Sequence, residues 1–167
     1  DRSDGGLITT VLEMCFGGDC GCVLDVATEA SALEYLFNEE LGLVVEVDNA
    51  KVEAVLKAYA EAEVPVSVIG TTQKANHVTI RVNGAVVLDE DEKKLHDLWE
   101  ATSFELDKLQ SNPACSEQEQ EGLKKRHKPA WKLTYEPRET PAAWMANASK
   151  YRVAIIREEG SNGDREM

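Results

Sequence analysis

Asn83-Gly84 separates two alternating runs, Val78-Thr79-Ile80-Arg81-Val82 and Ala85-Val86-Val87-Leu88. A two-residue hairpin loop needs positive φ at its central positions, and Asn-Gly is the pair that adopts it most readily. This pair between two such runs is the strongest short-range hairpin signal a sequence can carry. The chain therefore contains an antiparallel β-hairpin over 78–88, and its other elements are read around it.

Residues 5–16 have a helical apolar pattern that Gly17-Gly18-Asp19 ends. Cys22–Val26 reads as a short strand and Ala30–Phe37 as a short helix. Leu43-Val44-Val45-Glu46-Val47, bounded by Gly42 and Asp48-Asn49, reads as a buried strand. Val52, Val55, Leu56 and Tyr59 recur at helical spacing and predict an amphipathic helix over 49–62. Val66-Ser67-Val68-Ile69-Gly70 reads as a further strand. With the hairpin, this is an α/β arrangement: an α+β two-layer fold with a mixed sheet and helices on one face.

After Asp89 the character changes. Glu90-Asp91-Glu92 suits the positive end of a helix dipole, and Leu95, Leu98, Trp99, Thr102, Leu106 and Leu109 carry that helix to about 110. Asn112-Pro113 stops it. Ser116-Glu117-Gln118-Glu119 fits a capping box, so 116–127 reads as a short polar helix. Residues 128–150, with Pro129, Pro137 and Pro141, read as an extended linker that Trp131 and Trp144 could pin down. Arg152–Arg157 then reads as a strand, Gly160-Ser161-Asn162-Gly163 as a turn, and Asp164 as a helix start. Strand, glycine turn and helix open a parallel α/β sheet. Three regions result: 1–89, 90–150 and 151–167. Asp1 already lies in a motif and Met167 lies partway into an expected helix, so the chain is read as part of a longer one.

A net charge of −13 argues against non-specific partners such as nucleic acid or an anionic membrane. No apolar run reaches the roughly 20 residues a membrane helix needs. Cys20-x-Cys22 has the wrong spacing for a zinc knuckle, and Cys15 reads as a small core residue, so reduced thiols and a cytoplasmic setting are expected. His77, His96 and His127 lack ligand spacing and read as surface or turn residues.

The remaining chemistry is at the start. Asp1-Arg2-Ser3-Asp4-Gly5-Gly6 runs directly into the apolar helix pattern. A loop entering a helix presents N–H groups and a positive dipole end that favour an anion such as phosphate. Asp1 and Asp4 are hard oxygen ligands suited to Mg²⁺. The alternative is a plain N-capped helix with Ser3 or Asp4 as the cap.

Asp-x-Ser-Asp-Gly-Gly-Leu at residues 1–7 resembles a segment of the formylglycinamide ribonucleotide amidotransferase family, within the aminoimidazole ribonucleotide synthetase superfamily. Phe37–Val44, Leu98–Asp107 and Arg157–Met167 resemble its later segments in the same order. The resemblance implies that 1–89 is the C-terminal part of an ATP-binding domain. It implies that 90–150 is a linker and that 151–167 begins a class I glutamine amidotransferase domain. It implies an ATP- and Mg²⁺-dependent ligase of purine biosynthesis that takes formylglycinamide ribonucleotide and glutamine through the rest of the parent chain. Carried over by position, Asp1 is the Mg²⁺ ligand and Ser3 the ATP contact. Asp4 is a second metal candidate or a helix cap, and Gly5 and Gly6 lie beside the nucleotide. Arg2 stands where relatives often carry an apolar residue. No catalytic residue is assigned within the chain, because the glutaminase Cys, His and Glu are expected downstream of Met167. The chain alone is therefore expected to be inactive. Another ATP-dependent member of the superfamily, or a non-catalytic scaffold domain, are the competing readings.

Overall fold

A computed structural model describes residues 1–2, 4–126, 131–146, 152–160 and 162–163. The chain divides into two units, Asp1–Pro129 and Ala130–Met167. The first unit carries α1 (Gly6–Gly18), β1 (Gly21–Val26), α2 (Ala32–Phe37), a 3₁₀ turn (Asn49–Lys51), α3 (Val52–Glu61), β2 (Gly70–Gln73), β3 (His77–Val82), β4 (Ala85–Asp91), α4 (Glu92–Gln110) and α5 (Pro113–Leu123). The second carries one short helix, α6 (Ala142–Met145).

The sheet is mixed, in the order β2-β1-β3-β4. β1 runs parallel to β3, pairing Leu24 with Ile80, and antiparallel to β2; β4 is antiparallel to β3. Alternate residues of the two central strands point to one face: Cys22, Leu24 and Val26 from β1, and Val78, Ile80 and Val82 from β3. α1 covers that face with Leu7, Val11 and Cys15, one helical turn apart, and Leu36 of α2 and Leu95 of α4 extend the contact. This is the two-layer α/β architecture expected from the sequence.

The hairpin forms as expected. Asn83 and Gly84 have φ of 52° and 78°, the double positive φ of a type I′ turn. Asn83 also ties the turn to the end of β1: its Nδ2 donates to Thr28 O and its Oδ1 accepts from Thr28 N–H, both at 2.9 Å. α4 is likewise as expected, capped by Asp91, whose carboxylate accepts the N–H groups of Lys93 and Lys94.

One expected strand is absent from the sheet and another is shifted along the chain. Residues 43–47 run outside the sheet, with Leu43 and Val45 exposed and Val44 against the core. The β-branched run suits a pleated surface, but a strand also needs a hydrogen-bonding neighbour, which this run does not gain. Strand β2 occupies Gly70–Gln73 rather than 66–70. Gly70 sets that register: a Cβ there would stand 2.1 Å from Val23 O, so only glycine lets the two backbones meet. The sheet accordingly has four strands among the described residues, not five.

The second helix after the sheet also differs. α5 begins at Pro113, whose missing N–H costs nothing in a first turn, with Asn112 as its cap. Ser116 is inside the helix rather than its cap, buried and hydrogen-bonded to Asp107 and to Ser111. Residues 152–158, expected to include a strand, have no regular structure. The helix expected from Asp164 lies outside the described residues. Trp131 and Trp144 are exposed. Among the described residues no helix is long and apolar enough to cross a membrane.

Candidate functional site at the entry to α1

Gly5 and Gly6 turn the chain into α1 with consecutive left-handed φ values of 76° and 73°. Two such residues in a row are tolerable only without Cβ atoms. Gly5 is the N-cap, and among the described residues no side chain of the loop caps the helix. Asp4 therefore does not cap α1, and its carboxylate is exposed. Ser3 lies outside the described residues. Asp1 is exposed, and its backbone carbonyl accepts from Thr10 Oγ1 at 2.6 Å. The same hydroxyl lies 2.9 Å from Gly6 O. A buried threonine one turn into the helix thus holds the backbone of the first residue. Nothing in the sequence marks Thr10 for that task except its distance of one turn from the loop.

The entry loop rests on the segment that follows α2. Arg2 N–H donates to Gly42 O at 3.0 Å, and Arg2 Nη2 donates to Asn38 O at 3.5 Å. Gly5 N–H donates to Glu39 Oε1 at 2.9 Å. Gly6 is buried so closely that an added Cβ would stand 2.6 Å from the Phe37 carbonyl carbon and 2.7 Å from Leu36 O. The structural task of Gly6 is this close approach. The stem of Arg2 lies over Gly42, where the added Cβ would be 3.0 Å from Arg2 Cδ. A long aliphatic stem can cover what an apolar side chain would cover, which accounts for arginine at this position.

Glu39 changes the anion reading. One N–H at the helix entry is already bonded to a carboxylate of the chain itself. That pairing is favourable with the dipole, and it puts negative charge where a phosphate would approach. The metal reading asks for different donors. Mg²⁺ takes one or two carboxylates and completes its shell with water and phosphate oxygens. Asp1 and Asp4 supply hard oxygen donors of that kind at one exposed loop. No group of three or more His, Cys, Asp or Glu placed to hold a metal ion occurs among the described residues.

A second polar cluster joins the end of α1 to the start of α4. Lys93 Nζ lies 2.5 Å from Asp19 Oδ1 and 3.3 Å from Glu92 Oε2. Asn76 Nδ2 donates to the same two carboxylates, at 2.8 Å and 3.2 Å. Glu92 is fully buried, and its Oε1 has no hydrogen-bond partner. Beside it, the Cys15 thiol is pushed far up, first by its hydrogen bond with Cys22, then by burial and by the charge of Glu92. Cys15 stays a thiol and acts as core, as expected. His96 is not a surface residue: it stacks on Phe16 with ring centroids 4.4 Å apart. His77 sits on β3 and bonds Asp89 at 2.9 Å, while His127 lies outside the described residues.

Residues 1–83 match the family model described as AIR synthase related protein, C-terminal domain. Across 168 residues the chain is 46% identical to the probable phosphoribosylformylglycinamidine synthase, chloroplastic/mitochondrial, of Arabidopsis thaliana, covering 100% of this chain and 12% of that protein. Across 174 residues it is 47% identical to the phosphoribosylformylglycinamidine synthase of Homo sapiens, covering 100% of this chain and 13% of that protein. The chain thus spans 12% to 13% of the length of these relatives.

Proposed function

We propose that the chain, whose residues 1–83 match the AIR synthase related protein, C-terminal domain family, is one segment of a large single-chain phosphoribosylformylglycinamidine synthase. The observation that carries the reading is similarity along the whole chain, including the part beyond residue 83, at 46% and 47% identity. A lone family domain would give the match over 1–83 without the rest.

On this reading the parent enzyme uses ATP and glutamine to convert formylglycinamide ribonucleotide to formylglycinamidine ribonucleotide in purine biosynthesis. Residues 1–89 are the C-terminal part of an ATP-binding domain, 90–150 the linker and 151–167 the start of the glutaminase domain. Asp1 is a Mg²⁺ ligand, Ser3 an ATP contact and Asp4 a second carboxylate near the metal, with Gly5 and Gly6 shaping the backbone beside it. Bound Mg²⁺ offsets the negative charge of the nucleotide phosphates. The chain's own contribution is to hold the loop. Thr10 fixes the Asp1 carbonyl, and the 36–42 segment supports the loop from the other side. The other domains of the same polypeptide complete the nucleotide pocket and supply the glutaminase chemistry, so residues 1–167 alone turn over no glutamine. We assign the protein to the cytoplasm, and cell fractionation tests that assignment.

The test is glutamine-dependent ADP release by the intact parent chain with formylglycinamide ribonucleotide, beside its Asp1→Asn variant. Activity that collapses in the variant supports both the enzyme and Asp1 as a working metal ligand. Activity that survives with a lower melting temperature makes the nucleotide at Asp1 structural. An inactive parent refutes the reading.

A further inference from the structure

The contact between residues 1–6 and 36–42 includes a hydrogen bond from the start of α1 to an exposed carboxylate. Glu39 is exposed, yet its Oε1 accepts the N–H of Gly5, the residue that starts α1 and is 34 positions away in sequence. The first N–H groups of any helix lack partners within it, and among the described residues of the entry loop no side chain provides one. Glu39 supplies from outside what Ser, Asp or Asn supplies at an ordinary cap.

Position matters as much as satisfaction. Gly5 and Gly6 are the two residues about which the entry loop can swing, because both lack Cβ and both occupy left-handed φ. Gly6 is held by packing against Leu36 and Phe37. Thr10 holds Asp1 from within α1, and Arg2 N–H holds the loop to Gly42. On the hinge itself, Thr9 Oγ1 donates to Gly5 O at 3.1 Å from within α1, and Glu39 accepts the Gly5 N–H from outside the helix.

We infer that Glu39 is a positioning residue for the nucleotide loop: it fixes the Gly5 hinge through a hydrogen bond and so holds the loop that carries Asp1. The inference rests on the reading that this loop contacts a Mg-nucleotide. Glu39 acts through Gly5 and does not touch the ligand.

The test uses the intact parent protein and titrates it with ADP in the presence of Mg²⁺ by calorimetry, following the site that Asp1→Asn weakens. Glu39→Ala removes the acceptor and should weaken ADP at that site roughly tenfold, the order of a lost charge-assisted hydrogen bond. Glu39→Gln keeps an oxygen that accepts the Gly5 N–H and should restore affinity to within about twofold of the parent. Equal losses in Glu39→Ala and Glu39→Gln would mean that the charge matters, as for a metal ligand, and would overturn the inference. A lower melting temperature in Glu39→Ala with unchanged ADP affinity would reduce Glu39 to a stabilising contact and overturn it as well. Asp1→Asn with ADP affinity unchanged at every site would refute the underlying reading instead, whatever Glu39 does.

Discussion

Replacing Gly6 by alanine tests whether the entry of α1 is held by close packing or by backbone conformation alone. Gly84 is its control, since both have left-handed φ, 73° and 78°, and they differ in surroundings. Nothing lies within 4 Å of a Cβ built on Gly84. A Cβ on Gly6 meets backbone atoms of Leu36 and Phe37 at 2.6 Å to 2.8 Å. Left-handed φ costs an alanine about 1–2 kcal/mol, partly offset by roughly 0.4–1 kcal/mol from restricting the unfolded chain. Gly84→Ala should therefore cost about 1 kcal/mol and lower Tm by roughly 3 °C in a chain of this size. Gly6→Ala pays the same conformational cost and must also push α1 away from the end of α2. Overpacking of that kind costs about 1–3 kcal/mol, for a total near 3 kcal/mol and roughly 10 °C. Urea and thermal unfolding of both variants, followed by circular dichroism, measures the difference. Equal losses, or a smaller loss for Gly6→Ala, would refute the packing argument and leave conformation as the only role of Gly6.

Two further outcomes follow from the same structure. Asn83→Gly keeps the positive φ but loses both bonds to Thr28, and should cost about 1 kcal/mol, while Asn83→Ala adds conformational strain and should cost about 2 kcal/mol; urea midpoints that do not separate the two would sink this division. Asp89 is held below its ordinary carboxylate value of 3.8 by its hydrogen bonds from His77 and Thr79. A depressed folded value gives stability that is present above 3.8 and is lost as pH falls through the folded value. Urea midpoints between pH 2 and 7 should accordingly fall less steeply on the acid side for Asp89→Asn than for the parent, and identical acid limbs would count against it.

The elements that were legible in the sequence are those whose determinants are local. Asn83-Gly84 encodes its own turn, the apolar spacing of Leu7, Val11 and Cys15 encodes the face of α1, and Asp91 encodes the start of α4. Misreadings arose where a local signal needed a distant partner. Leu43–Val47 has strong β propensity, which reports fitness for a pleated surface and not the presence of a neighbouring strand. Val66–Ile69 has it too, but the pairing register moved to Gly70–Gln73, because the approach of β2 to β1 depends on an absent Cβ at Gly70. Ser116 had the spacing of a capping box, yet Asn112-Pro113 supplied a better helix start three residues earlier. The glycine turn into α1 at residues 5–6 was legible in the sequence. Its supports, Thr10 and Glu39, were not, since one is a threonine on an apolar face and the other is remote in sequence.

Two segments that carry the family resemblance, Asp1–Leu7 and Phe37–Val44, are distant in sequence and touch in space. On the proposed reading, a carboxylate carried on a glycine hinge has to be held for a Mg²⁺ shell to form around it. The 37–42 segment supplies restraint: Gly42 O and Glu39 Oε1 accept the N–H groups of Arg2 and Gly5, Asn38 O accepts from the Arg2 guanidinium, and the Phe37 backbone packs against Gly6. By this argument the sequence requirement on 37–42 is for shape and one acceptor, so Glu39→Gln should be tolerated and bulk at Gly6 should not.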